Sequence, residues 1–138
     1  MNPDIRKKIL KIAYRVRREC ENIQSNNSDC FPPDLGGLCA ISSVKLHKEL
    51  EKSGIKTEIA ITKTHCFLLF KGKYVIDITA TQFGFKERVL IIPLSKILNI
   101  DFDNYNIKHL TNNRSDTRKY LIQNRWADTN LPYISDTL

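Results

Sequence analysis

No stretch of this sequence is both long and apolar enough to cross a membrane, which excludes a helical integral membrane protein. The N-terminal run MNPDIRKKILKIAYRVRREC is basic, but it lacks an uninterrupted apolar segment and a small-residue cleavage site, so it does not read as a secretory signal. A cytoplasmic protein is expected, or one delivered into a host cell by a specialised secretion system. No CxxC pair occurs. The four cysteines, Cys20, Cys30, Cys39 and Cys66, are irregularly spaced, and reduced thiols are expected rather than a disulfide scaffold. A zinc site built from Cys30, Cys39, His65 and Cys66 would need His65 and Cys66 to point the same way. Adjacent residues of a strand point to opposite faces, so no metal is assigned, and no cofactor. Repeats and low-complexity tracts are also missing.

Acidic residues are in short supply, 15 against 22 Lys and Arg, for a net charge of +7. Much of the excess lies in Arg6, Lys7, Lys8, Lys11, Arg15, Arg17 and Arg18. Such a block suits an acidic partner. Tyr14 is the one aromatic among these charges, so a nucleic-acid stacking platform is not indicated. The plainer reading is a solvated helix face.

A chain of 138 residues, 41% of them hydrophobic, suits one domain over 1–138 with one modest core. Asn2, Pro3 and Asp4 make a helix start: a capping side chain, a proline in the first turn and an acid at the positive dipole end. Ile5, Ile9, Ile12, Ala13, Val16 and Cys20 recur at helical spacing, which predicts a helix over 1–21 or slightly less. NIQSNNSDCFPPDLGG, residues 22–37, reads as a long loop. A second helix follows from Leu38, with Ala40, Ile41, Val44 and Leu50 on one side and Gly54 as its stop. IKTEIAIT alternates as a strand, HCFLLFKGKYVIDIT reads as two strands around Lys71-Gly72-Lys73, and ERVLIIPL as another ended by Pro93. SKILNI suits a short helix, NYNIKHL a further strand, and 115–127 a C-terminal helix capped by Ser115 or Asp116, with Tyr120, Leu121 and Trp126 inside. This order predicts an α+β fold with a mainly antiparallel sheet.

Chemistry concentrates around LGGLCAISSVKLHKEL. A helix starting near Leu38 sets Cys39 in its first turn, where unpaired N–H groups and the dipole favour a thiolate. The same N–H groups suit an oxyanion on a carbonyl attacked by that sulfur. Gly36 and Gly37 clear side chains from the approach, although an ordinary turn before a buried cysteine reads equally well. A cysteine nucleophile needs a histidine base, and the base an orienting group. His47 lies about 12 Å along the same helix, and His109 sits in a polar segment; His65, opening HCFLLF, is the best placed. A hairpin that pairs Leu69 with Lys73 sets Phe67 opposite Val75 and His65 opposite Asp77, with Cβ atoms about 5 Å apart. Asp77 lies in the apolar run YVIDITA, where a buried carboxylate needs a partner; the competing reading is a strand-end cap contacting Thr79 or backbone.

The blocks GGLCAISSVKLHKEL, THCFLLF and YVIDITATQF resemble the papain-like and transglutaminase-like cysteine hydrolase superfamily, and the arylamine N-acetyltransferases that share its core. The resemblance covers 35–84 only. It implies a nucleophile-bearing helix packed on a small antiparallel sheet, with Cys39 as nucleophile, His65 as general base and acid, and Asp77 as orienter. The Cys39 N–H would be one oxyanion donor. Papain-like enzymes draw a second from a glutamine just before the cysteine, but DCFPPDLGG holds none and the nearest is Gln24. Gly37, Leu38 and Gln82 are the candidates to line the substrate and oxyanion site. The implied activity is amide cleavage in a protein or peptide, as a glutamine deamidase or a cysteine peptidase of the kind found among bacterial effectors. Transamidation and acyl transfer remain open. The competing class is a non-catalytic basic module binding nucleic acid or an acidic protein.

Overall fold

The computed structural model describes residues 1–26 and 38–124. Within them the architecture is α+β. Five helices, α1 (Pro3–Asn26), α2 (Cys39–Lys52), α3 (Leu94–Ile100), α4 (Phe102–Tyr105) and α5 (Arg114–Gln123), accompany one antiparallel sheet. Its strands are β1 (Glu58–Ile61), β2 (Cys66–Phe70), β3 (Tyr74–Asp77), β4 (Leu90–Pro93) and β5 (His109–Thr111), in the spatial order β4-β3-β2-β1-β5. No helix among the described residues is long and apolar enough to cross a membrane.

The start of α1 follows from its capping residue: Asn2 Oδ1 accepts the N–H groups of Asp4 at 2.8 Å and Ile5 at 3.3 Å. Its apolar stripe of Ile9, Ile12, Ala13, Val16 and Cys20 is buried. The helix runs past the expected end at 21 because Ile23 continues the stripe against the core. The loop expected over 22–37 therefore begins later, and 27–37, with Cys30, Gly36 and Gly37, lies outside the described residues. Arg6, Lys7, Lys8, Lys11, Arg15 and Arg18 of the basic block are exposed, as a solvated face requires, and Arg17 alone departs from it. Arg17 is buried, Arg15 pairs with Glu49, and the Lys8 ammonium donates to the Ser53 carbonyl.

α2 packs beside α1 on one face of the sheet, where Ile41, Val44 and Leu50 meet Ile59, Ile61, Cys66, Leu68 and Ile76. It stops where Gly54 turns left-handed at φ +79°. The opposite face carries Phe67, Leu69, Val75 and Leu90, covered by Ile97 of α3 and Tyr105 of α4.

The β2–β3 register differs from the expected one. Leu69 pairs with Val75 and Phe70 with Tyr74, two residues along from a Leu69–Lys73 pairing. The connection takes three residues, Lys71 to Lys73, with the Lys73 N–H donating to the Phe70 carbonyl. Both Lys71 (φ +54°) and Gly72 (φ +65°) adopt the left-handed conformation. A lysine there gives no signal in the sequence, which is why the glycine alone suggested a three-residue connection placed one residue earlier, over 70–72.

Further on, the strand expected from ERVLIIPL is confined to Leu90–Pro93, an edge strand that tolerates proline. Asn104 and Tyr105 of NYNIKHL close α4 rather than open a strand, because Asp101 caps that turn through the Asn104 N–H; only His109–Thr111 pairs with β1. α5 is capped by Asn113, not by Ser115 or Asp116, and Trp126 lies outside the described residues. Replacing Asn2 with alanine is expected to cost about 1 kcal/mol. Chemical denaturation that finds no loss would mean that the start of α1 does not depend on this cap.

Candidate active site

Cys39 is the first residue of α2. Leu38, the preceding residue, is fully buried and has no polar side chain to cap the first-turn N–H groups, and no acid stands in that turn. Cys39 is 6% exposed, whereas Cys20 and Cys66 are fully enclosed. Burial raises the pKa of the Cys20 and Cys66 thiols, so both stay protonated and inert.

His65 immediately precedes β2, and its ring lies on the face opposite α2. Phe67 stands 5.7 Å from it, Phe83 4.7 Å edge-on and Tyr105 5.3 Å edge-on, centroid to centroid. Asp77 ends β3. The two-residue shift in register makes His65 and Asp77 diagonal neighbours instead of direct partners, but an even shift keeps them on one face. Imidazole Nε2 and Asp77 Oδ2 are 2.6 Å apart, and both side chains are fully buried. Nε2 thus faces the carboxylate, which leaves Nδ1 for the Cys39 side chain, close enough to help raise the pKa of the ring. Cys39 opens a helix on one face and His65 stands just ahead of a strand, so the two meet at the sheet's end rather than through it.

Both readings of Asp77 hold at once. Oδ2 receives His65 Nε2 and the Tyr105 hydroxyl at 2.7 Å; Oδ1 receives the Thr79 N–H at 2.8 Å and the Thr79 hydroxyl at 3.2 Å. Four donors occupy the four lone-pair positions of a carboxylate. Burial pushes the Asp77 pKa up, but the His65 charge and these hydrogen bonds together hold it below the ordinary 3.8. Burial pulls His65 down, yet the Asp77 charge and hydrogen bond, with the Cys39 side chain, raise it from 6.5 to about 10. The ring is therefore an imidazolium at neutral pH. Burial and the neighbouring Asp77 charge raise the Tyr105 pKa, so its hydroxyl keeps its proton and donates.

Gln82 follows in the short 3-10 helix Ala80–Phe83. Its amide nitrogen lies 3.4 Å from His65 Nδ1 and donates to Thr79 Oγ1 at 3.3 Å. A protonated Nδ1 cannot accept from that amide, so its second N–H has no acceptor in the ring. Of the expected site residues, Cys39, His65, Asp77 and Gln82 come together, Leu38 adjoins them in the chain, and Gly37 lies outside the described residues.

The other histidines have separate partners. His47 is buried, with Nε2 3.2 Å from the Thr57 carbonyl and Nδ1 facing the Arg114 guanidinium, and burial followed by Arg114 lowers its pKa. His109 pairs with Asp116 and stacks on Tyr120. Among the described residues no group of three or more His, Cys, Asp or Glu side chains could hold a metal ion.

Thr79 was expected as a strand-end partner of Asp77, whereas Tyr105 was not anticipated. A buried carboxylate demands more donors than one histidine supplies, but nothing in FDNYN marks its tyrosine as one of them. No protein-family model, curated protein or solved structure matches the chain.

Tyr105→Phe should keep the ring and lose one donor to Asp77, at a cost of about 1–3 kcal/mol in chemical denaturation; an unchanged stability would remove this bond from the account. The pair also fixes a pH profile. His65, raised in the folded state, contributes stability that is complete below pH 6.5 and lost as the pH rises through about 10. Asp77, depressed, contributes stability that is present above 3.8 and lost as the pH falls through its folded value. The pair's contribution therefore peaks between these limits, and Asp77→Asn should flatten both limbs of a stability-versus-pH curve.

Proposed function

We propose that the chain is a thiol acyl-transfer enzyme of the papain-like or transglutaminase-like kind, which cleaves an amide of a protein or peptide through Cys39, His65 and Asp77. One observation carries the reading: a single buried imidazolium set between the first-turn cysteine, which helps to raise its pKa, and a fully satisfied carboxylate bonded to it at 2.6 Å. The order of the parts supports it as well, with the cysteine at a helix start, the histidine at a strand start and the aspartate on the next strand.

The chemistry follows from the geometry. Cys39 Sγ attacks the amide carbon as the thiolate of an ion pair with the His65 imidazolium, a C–S bond forms, and the carbonyl π pair moves onto oxygen. The Cys39 N–H and the Gln82 amide serve as donors to that oxyanion. As the C–N bond breaks, the proton on His65 Nδ1 goes to the leaving nitrogen, which departs as ammonia or an amine. The ring, now neutral, takes a proton from water, and the hydroxide adds to the thioester and releases the acid, leaving the thiolate beside the imidazolium as at the start. A glutamine side chain treated this way is deamidated; a peptide bond is cut. An amine in place of water gives transamidation by the same steps. Asp77 holds the ring so that Nδ1, not Nε2, faces the sulfur.

The test uses a Cys30→Ser background. Iodoacetamide at neutral pH should alkylate Cys39 far faster than Cys20 and Cys66, read by peptide mass spectrometry, and His65→Ala should slow it. Cys39→Ala should stay folded and lower release of ammonia or amine from glutaminyl peptides by about four orders of magnitude. Slow, equal labelling of all three thiols would sink the proposal and favour a binding module.

A further inference from the structure

We propose that Arg17 of α1 is a positioning residue for the candidate active site, orienting Asp77 through the peptide group that joins Ile78 to Thr79. The inference rests on Asp77 being the group that holds His65.

Arg17 is the only buried Lys or Arg among the described residues, at 5% exposure. Its Nη1 donates to the Ile78 carbonyl at 2.7 Å and to the Thr81 hydroxyl at 3.1 Å. Its Nε lies 3.5 Å from Glu21, an ion-pair contact without hydrogen-bond geometry. A buried guanidinium carries a desolvation cost that a solvated position would avoid, and both of its hydrogen bonds go to neutral oxygens, so those partners matter.

Those partners lie on the strip that carries the site. The Ile78 carbonyl and the Thr79 N–H belong to one planar peptide unit. Arg17 grips the oxygen of that unit, and the N–H donates to Asp77 Oδ1 at 2.8 Å. A cation on the carbonyl does two things at once. It fixes the rotation of the plane, and so the direction of the N–H. It also polarises the amide, which makes the N–H a stronger donor. The second acceptor, Thr81, directly precedes Gln82, whose amide lies beside the imidazole. One guanidinium on the first helix thus holds both the peptide that sets the carboxylate and the turn that presents the amide. The two segments are 61 residues apart in the chain.

A purely structural anchor predicts lost stability and nothing more. The test therefore compares Arg17→Met and Arg17→Lys with Val16→Ala, a fully buried neighbour on the same helix. Two NMR signals are read in each folded variant: the Thr79 amide proton and the pH titration of the Asp77 carboxyl carbon. Arg17→Met should move the amide proton upfield and raise the Asp77 midpoint by about one unit. Arg17→Lys should give smaller shifts of the same sign, since an ammonium keeps the charge without the planar fork. Val16→Ala should lower the unfolding midpoint and leave both signals in place. Should Arg17→Met fail to fold, Arg17→Lys is read alone. Unmoved signals in every folded Arg17 variant overturn the proposal. Neither signal needs turnover, so moved signals together with a sluggish Cys39 would end the enzymatic reading and leave this one standing.

Discussion

The rest of the site depends on one condition: Asp77 is ionised in a place with no access to water. Dehydrating a carboxylate costs several kcal/mol, and an ion pair offsets that only when the remaining lone pairs are also satisfied. Here His65, Tyr105 and the amide and hydroxyl of Thr79 supply one donor each. The direction of the His65 shift decides which effect wins. Burial alone would leave a neutral ring, and the raised value means that Asp77 and Cys39 together outweigh it. Loss of a single donor then acts well beyond its own bond, since a half-satisfied buried charge weakens everything around it.

The fold provides these donors from separate places. β2 and β3 bring His65 and Asp77 onto one face, α4 lays Tyr105 over them, and α2 delivers the sulfur from the opposite face at the end of the sheet. The aromatic rings of Phe67, Phe83 and Tyr105 surround the imidazole. They limit its rotation and keep the dielectric low, which strengthens the attraction they enclose.

Local signals in the sequence were sufficient for the beginnings of the elements and for the central histidine and carboxylate. Asn2 and Pro3 announced α1, Gly54 closed α2, and an aspartate inside YVIDITA asked for a partner. The pairing of the hairpin was misjudged because Lys71 adopts a conformation that its side chain does not advertise. The inferred contact survived because strand faces repeat every two residues, and the error was two. What could not be read were the long-range donors. Tyr105 is 28 residues from Asp77 and Arg17 is 61 from Ile78, and neither separation leaves a periodic trace. Arg17 looked like one more member of a basic surface, and only its burial sets it apart.

The chain order of these groups has a consequence for synthesis. The sulfur at 39 emerges from a ribosome well before the ring at 65, the acid at 77 follows, and the tyrosine at 105 comes last. A partly made chain thus carries a bare thiol with no base to awaken it. On the proposed reading, the thiol meets its base only when tertiary structure closes around the last arrival, so a nascent or unfolded copy carries no more than an ordinary cysteine.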